Sequence, residues 1–184
     1  MVGRRTDTRA RIQQVALEMF TEQGYDKTTL REVADRLQIT RPALYYHFKA
    51  KEDILVSVID DLTASMEELI QWARAQPATP EARQEILRRI ADFMGGSMGH
   101  LARFARLNET VIKSIPAGER LRDHMLDLLS VLTSPDADPV KQLESKLAVI
   151  AVILTGVPVL FGPELSQEER AAVAMRVATK LISD

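Results

Sequence analysis

Apolar residues recur every three or four positions along most of the chain, and no long stretch alternates strictly between apolar and polar residues. The first spacing places apolar side chains on one face of an α-helix, whereas strict alternation would indicate a strand. The pattern therefore predicts an all-α fold of about nine helices. They cover approximately residues 7–23, 30–37, 41–47, 51–76, 81–97, 101–114, 119–133, 139–160 and 167–183.

The second and third predicted helices are short and follow each other closely. Thr29 and Glu32 form a capping box before the first of them, whose apolar residues occupy positions i, i+3, i+4 and i+7. Only Gln38 and Ile39 separate this helix from Thr40, a suitable cap for the next helix. Two short helices at a steep angle, a helix-turn-helix, are the expected product.

The second helix of this pair has two different faces. On a helical wheel, Leu44 and Phe48 point together toward the core, while Pro42 and Tyr46 point away from it. Small residues at the N-terminal end would let the helix approach base edges, and tyrosine hydroxyls would donate to phosphate oxygens. The wheel places Arg41 near the buried side, so its long side chain must reach around to contact a base.

Charge is unevenly distributed along the chain. Residues 1–51 hold ten Lys and Arg against six Asp and Glu, a net charge of +4, and the remainder has a net charge of −6. A basic head on an acidic body indicates one module that binds a polyanion. Arg4, Arg5, Arg9 and Arg11 could form a DNA-binding arm or simply a solvated tail.

The segment from about residue 11 to 55 resembles the DNA-binding domain of the tetracycline-repressor (TetR) family. The most specific matches are residues 20–25, the pair Thr28-Thr29, and the string Leu-Tyr-Tyr-His-Phe at 44–48 followed by Lys51-Glu52. The resemblance implies a helix-turn-helix domain over residues 1–51 and a ligand-binding and dimerisation domain over 52–184. Gln38 departs from the pattern, since the family turn usually carries glycine there; a positive φ would strain it by about 1 kcal/mol.

The resemblance also implies roles for individual residues. Double-stranded operator DNA is the implied partner, with Arg41, Pro42 and Ala43 facing the bases. Other positions are expected along the phosphates or beside them, namely Thr28, Thr29, Thr40, Tyr45, Tyr46, His47 and Lys51.

The last two predicted helices are unusually apolar. Their apolar residues are Leu143, Leu147, Ile150, Ile153 and Leu154 in the first, and Val173, Val177, Ala178 and Leu181 in the second. These faces are wider than one intramolecular neighbour would cover, and they resemble the four-helix interface of TetR-family homodimers. An ordinary internal core is the alternative for any one of these residues.

The helices between the head and this pair are expected to enclose a cavity for a small, apolar effector. The residues expected to bind the effector are Trp72, Phe93, Met94, Met98, Phe104, Asn108, Met125 and Phe161. His100, Glu109 and His124 would also suit a polar role, although each is individually a more ordinary surface or core residue.

Other classes of function are less well supported. The chain has no cysteine and only three histidines, with no catalytic motif among them, so a helical enzyme is a weak alternative and no cofactor or metal is expected. A transcriptional activator, or a repressor without an effector, stays open. The uncharged stretch 147–163 contains two prolines and two glycines, which favours a buried helix over a membrane span, and a cytoplasmic location is expected.

Overall fold

The computed structural model describes residues 3–113, 115–156, 161 and 164–183. Within these residues every regular element is helical, which confirms the all-α prediction. A 3-10 turn, Leu154–Gly156, follows the ninth α-helix. The α-helices are α1 (Gly3–Gln23), α2 (Leu30–Leu37), α3 (Arg41–His47), α4 (Lys51–Arg74), α5 (Pro80–Gly95), α6 (Ser97–Leu107), α7 (Glu109–Lys113), α8 (Ala117–Leu128), α9 (Pro139–Ile153) and α10 (Gln167–Ile182).

The helix predicted over 101–114 is wrong as a single element, because Asn108 divides it into α6 and α7. The Asn108 side-chain amide donates to the Phe104 carbonyl oxygen at 3.1 Å, and the backbone N–H donates to the same oxygen at 3.0 Å. The Asn108 carbonyl then accepts from the N–H of Ile112 at 3.1 Å, which begins α7. Asparagine competes with helical backbone bonds in this manner, so one residue ends one helix and starts the next.

The glycine-rich stretch 95–99 interrupts the helices only at Gly96, and α6 already begins at Ser97. Gly99 therefore lies inside a helix. A Cβ at this position would lie 2.8 Å from the carbonyl oxygen of Met94, closer than a side chain can approach. Glycine is thus required there by close packing of the backbone rather than by a flexible turn.

Two predicted helix ends also differ from the structure. The helix predicted to end at 133 ends at Leu128, because the N–H groups of Ser130 and Val131 donate to carbonyls only three residues back. Such bonds tighten and finish a helix. The helix predicted over 139–160 is α-helical to Ile153, and positions 157–160 lie outside the described residues.

The helices pack into two compact units. The first contains residues 1–62 and 100–119, and the second contains 63–99 and 120–184, so α4 contributes to both. The predicted boundary between residues 51 and 52 separates two functional domains, whereas the two units are defined by packing. That boundary therefore stays a prediction.

An aromatic cluster forms the core of the first unit. The rings of Phe20 and Tyr25 meet edge to face with their centroids 5.0 Å apart, and Phe104 lies about 6 Å from both. Burial raises the pKa of the Tyr25 phenol far above its usual value. Because Phe104 is fully buried in this cluster, its side chain stabilises the fold, and its contact with an effector stays a prediction.

The core of the second unit is built around α9. This helix packs along α10 and against α5, and the buried residues of α9 and α10 include Val149, Val152 and Ala174. Ala178, predicted at a dimer interface, is also completely buried here and therefore belongs to the internal core. None of the described helices is both long enough and apolar enough to cross a bilayer.

Candidate nucleic-acid interface

Helix α2 is fixed at both ends. Its capping box is formed as predicted: the Thr29 N–H donates to Glu32 Oε2 at 2.8 Å, and the Glu32 N–H donates to Thr29 Oγ1 at 3.2 Å. The Thr29 hydroxyl, which donates to Glu32 Oε2 at 2.7 Å, and the Thr29 N–H stabilise the charged carboxylate and lower the pKa of Glu32. The buried residues Leu30, Val33, Ala34 and Leu37 form the predicted single stripe. The helix is thereby held against the first unit's core.

Gln38, at the turn between α2 and α3, adopts the left-handed conformation with φ 55° and ψ 38°. This conformation lets the Gln38 N–H bond to the last carbonyls of α2 and lets the Ile39 N–H donate to Ala34 O at 3.1 Å. Only glycine adopts it without steric cost, so the structure supports the strained alternative for this turn. Gln38 carries about 1 kcal/mol of conformational strain to direct the chain into α3.

Helix α3 presents one face to the core and one to solvent. Thr40 caps it by accepting from the Ala43 N–H at 3.3 Å, and Pro42 occupies the first turn, where no N–H is needed. Leu44 is fully buried and Phe48, just after the helix, is almost so, whereas Tyr46 is 62% exposed. This is the orientation expected from the wheel, and it leaves the opposite face of α3 open.

The exposed face of α3 brings together most of the residues predicted to contact DNA. Arg41 is exposed, so its side chain need not reach around from a buried position. The other members of this face are Thr40, Pro42, Ala43, Tyr45 and Tyr46, with His47 half-buried beside them. The Tyr46 and His47 rings meet edge to face with centroids 5.3 Å apart. The surface is small at its N-terminal end and rich in donors beyond it.

The hydroxyl groups of Thr28 and Thr29, two residues predicted at the DNA interface, both make hydrogen bonds within the chain. Thr28 is completely buried, and its hydroxyl donates to the Gly24 carbonyl oxygen at 2.9 Å, so the prediction of a side-chain contact with phosphate is wrong. Gly24 has φ 93° and ends α1, as predicted, so Thr28 holds this turn closed. The Thr29 hydroxyl is exposed, but it donates to Glu32 at 2.7 Å within the capping box.

Lys51 connects the start of α4 to the segment that follows α1. Its ammonium donates to the Tyr25 carbonyl oxygen at 2.6 Å and lies 4.4 Å from the centre of the Tyr25 ring. An ammonium has three N–H donors, so bonds to phosphate remain feasible. The structure nevertheless gives Lys51 a second task, since it fastens α4 to the core.

Sequence reasoning missed Lys49 as a cation beside α3, and it placed Arg9 only in a terminal arm or tail. Lys49 is exposed, and its ammonium donates to the Tyr45 carbonyl oxygen at 2.6 Å, which places a positive charge at the C-terminal end of the helix. The Arg9 guanidinium lies 5.0 Å from the centre of the Phe48 ring. A lysine directly after the aromatic string could have indicated the first, but the Arg9 contact depends on tertiary packing.

The predicted effector-binding residues are divided between the two units. Asn108 lies in the first unit and ends α6, whereas six others lie in the second unit: Trp72, Phe93, Met94, Met98, Met125 and Phe161. Met98 is buried, and the Trp72 ring is covered by the Arg89 guanidinium at 3.7 Å. Clefts of about 960 and 310 Å³ occur in the second and first units, and none of the eight predicted residues lines either. An effector site at these residues stays a prediction.

Helices α9 and α10 carry an apolar surface that no described residue covers. Leu143 and Leu147 of α9 are exposed, as are Val173 and Val177 of α10, all four as predicted. Val140 extends the surface at the start of α9. The other predicted positions, Ile150, Ile153, Leu154 and Leu181, are half-buried within the unit. We refer to Val140, Leu143, Leu147, Val173 and Val177 as the apolar stripe.

Comparison with known proteins agrees with this geometry. Residues 12–58, from α1 into α4, match the family model described as bacterial regulatory proteins of the tetR family. A regulator from Thermobifida fusca, of the TetR/AcrR family, superposes with a TM-score of 0.57 at 27% identity over 94% of this chain and 97% of its own. The chain is thus similar to TetR-family regulators both by the family model and by this structure. A second TetR-family structure, from Mesorhizobium loti, covers 98% of this chain and 97% of its own with a TM-score of 0.64 at 16% identity, and it supports the fold.

Curated relatives match mainly the N-terminal part of this chain. The transcriptional regulator AcrR of Shigella flexneri is 35% identical over 75 residues, which are 40% of this chain and 35% of that protein. The transcriptional repressor KstR2 of Rhodococcus jostii is 36% identical over 84 residues, 44% of this chain and 39% of that protein. The chain thus covers little more than a third of either relative. These likenesses are to regulators of transcription and lend no support to the alternative of a helical enzyme.

Proposed function

We propose that this chain is a DNA-binding regulator of transcription of the TetR family, whose α3 lies in the major groove of an operator. The observation that carries the proposal is the open face of α3, where small residues precede two exposed tyrosines while Leu44 and Phe48 anchor the opposite side. Arg41, Pro42 and Ala43 would face the bases. Thr40, Tyr45, Tyr46, His47 and the remaining donors of Lys51 would hold the phosphates.

The regulator acts as a homodimer through the apolar stripe. One recognition helix reads only a few base pairs, so two heads would contact half-sites about 34 Å apart or a multiple of that distance. The stripe supports this assembly because five exposed aliphatic residues on two adjacent helices form a surface that a second copy would bury. The operator is accordingly an inverted repeat.

The regulator is a repressor that a small apolar effector releases from DNA in the cytoplasm. The release would act through α4, because this helix begins beside the recognition helix and continues into the second unit. An effector that changes the position of α4 would change the separation of the two heads. A hundredfold release requires about 2.7 kcal/mol of differential binding, which a modest apolar pocket supplies.

Selection from random double-stranded DNA, followed by fluorescence anisotropy with the selected fragment, tests this function. We expect an inverted repeat and a loss of affinity of about 10³ to 10⁵ between 50 and 200 mM salt, because six to ten phosphates would be contacted. A flat salt response or the absence of any enriched sequence would refute DNA binding. Screening metabolites for release then separates an effector-controlled repressor from one without an effector, and a reporter gene separates repression from activation.

A further inference from the structure

The second unit contains an open cleft of about 960 Å³ that the proposed function does not use. It is formed by the C-terminal ends of α4 and α10, the N-terminal parts of α5 and α9, and the segment 130–137. Its volume is within the range of small-molecule sites, about 300 to 1,000 Å³. We infer that this cleft binds an amphiphilic anion, a carboxylate or phosphate group joined to a short hydrocarbon body.

The charges that line the cleft favour an anion. Four of them are positive, Arg74, Arg83, Lys141 and Lys146, and one is negative, Glu144. The Lys141 ammonium lies 3.5 Å from Glu144 Oε2, which is buried and accepts no hydrogen bond in the described part of the chain. The lining side chains together still have a net charge of +3. Residues 52–184 have a net charge of −6. The excess of cations in the cleft is therefore a local feature and not a general property of that region.

Two of these cations are available for a ligand. Arg74 pairs with Asp127 at 3.8 Å, but Arg83 and Lys146 have no carboxylate within ion-pair distance among the described residues. The Nε atom of Arg83 is buried and has no hydrogen-bond partner in the described part of the chain. A buried donor without a partner is costly, and an anionic oxygen at this position would remove the cost.

The N-terminus of α9 does not supply this anion site. The side chain of Asp138 accepts from the N–H groups of Val140 and Lys141 at 2.8 and 3.4 Å, so the positive end of α9 is already neutralised. Recognition of the charged group therefore falls to the side chains of Arg83 and Lys146. An arginine fork matches the geometry of both carboxylate and phosphate.

The hydrocarbon part of the ligand has its own contacts. Ile86, Leu132 and Leu181 line the same cleft, the first two buried and the third half-buried. A ligand with a charged group near Arg83 and an alkyl chain over these residues would satisfy both kinds of lining. A fully apolar molecule would leave Arg83 and Lys146 without an anionic partner, and a bare inorganic ion would make no contact with the apolar part of the lining.

The cleft and the apolar stripe use different sides of α9. Ser145, which lines the cleft, lies on the wheel nearly opposite to the mean direction of Leu143 and Leu147. A ligand in the cleft would therefore not displace a partner subunit. Binding to the cleft also does not require DNA, so this inference and the proposed function can fail independently.

Isothermal titration calorimetry of the full chain with octanoate, octyl phosphate and 1-octanol tests the inference. We expect both anions to bind at least about tenfold more tightly than the alcohol, the worth of one charge-assisted hydrogen bond. The stronger of the two anions identifies carboxylate or phosphate as the preferred group. Equal binding of the alcohol and the anions, or no binding of any of them at millimolar concentration, would overturn the inference.

Variants then locate the bound anion. The double variant Arg83→Met, Lys146→Met should lose about tenfold or more in affinity for the preferred anion and little for 1-octanol. The control Arg122→Met removes an exposed cation of the same unit that does not line the cleft, and its affinity should be unchanged. If the double variant unfolds, Lys146→Met alone, with circular dichroism as the check of folding, gives the same test. Unchanged affinity in a folded variant would place the anion elsewhere.

Discussion

Helices α3 and α9 each leave one face open, but the open faces differ in chemistry. The open face of α3 carries small residues and two tyrosines, Tyr45 and Tyr46, which are 43% and 62% exposed. The open face of α9 carries valine and leucine, with Leu143 58% exposed. Hydroxyl and cationic donors suit a polyanion, and aliphatic side chains suit a second apolar surface. Exposure by itself is therefore uninformative about function, and the chemical type of the exposed side chains distinguishes a DNA contact from a subunit contact.

The largest expected effect is on the subunit contact. Leu143→Asp would bury an unpaired carboxylate between two copies, a cost of about 3 to 5 kcal/mol, so the dimer dissociation constant should rise about 10² to 10⁴-fold. Sedimentation equilibrium measures this change. Leu126→Asp is the matched control, because Leu126 is 60% exposed on α8 and lies outside the apolar stripe. A variant Leu143→Asp that dimerises like the control would remove α9 from the interface.

The next effect concerns the open face of α3. Tyr46→Phe removes one hydroxyl and leaves the ring, so affinity for the selected operator should fall about tenfold while the free energy of unfolding stays nearly constant. Anisotropy titrations and urea denaturation measure the two quantities. Leu126→Asp, on another helix, again serves as a control and should leave DNA affinity unaltered. If Tyr46→Phe binds DNA as the parent chain does, the hydroxyl makes no phosphate contact.

A smaller effect is expected at the turn that leads into α3. Gln38→Gly should raise the free energy of unfolding by about 0.5 to 1 kcal/mol, because glycine adopts a φ of 55° without strain. Gln38→Ala is the control, since alanine keeps the Cβ and the strain. Thermal and urea unfolding compare the three proteins. A loss of stability in Gln38→Gly would show that side-chain contacts of the glutamine outweigh the backbone strain.

The smallest expected effect concerns the capping boxes that begin α2 in the first unit and α10 in the second. The capping boxes Thr29–Glu32 and Ser166–Glu169 lower the pKa of both glutamates below the ordinary value of 4.5. Since the pKa is lower in the folded state, the stabilisation is present above pH 4.5 and is lost as the pH falls through the folded-state value. Glu32→Ala and Glu169→Ala should each destabilise the chain at pH 7 and by much less near pH 3.

The pH dependence can be checked directly by NMR titration of the two carboxyl groups. Thr29→Ala and Ser166→Ala remove the hydroxyl partners, so the pKa of Glu32 and Glu169 should rise toward the ordinary value in these variants. Unchanged titration in either variant would mean that the hydroxyl hydrogen bond contributes nothing to that pKa.

The sequence alone determined the elements that depend on local interactions. The capping boxes at Thr29 and Ser166 are formed, and Leu44 and Phe48 are buried, because each rests on residues three or four positions apart. Only the tertiary structure decided that Thr28 turns inward, that Lys51 binds the Tyr25 carbonyl, and that Phe104 joins the aromatic core. The contacts of Lys51 and Phe104 join residues that are distant in the chain, and the Thr28 hydroxyl bonds to a backbone carbonyl in place of solvent. The order of residue types along the sequence does not show which of these partners a side chain contacts.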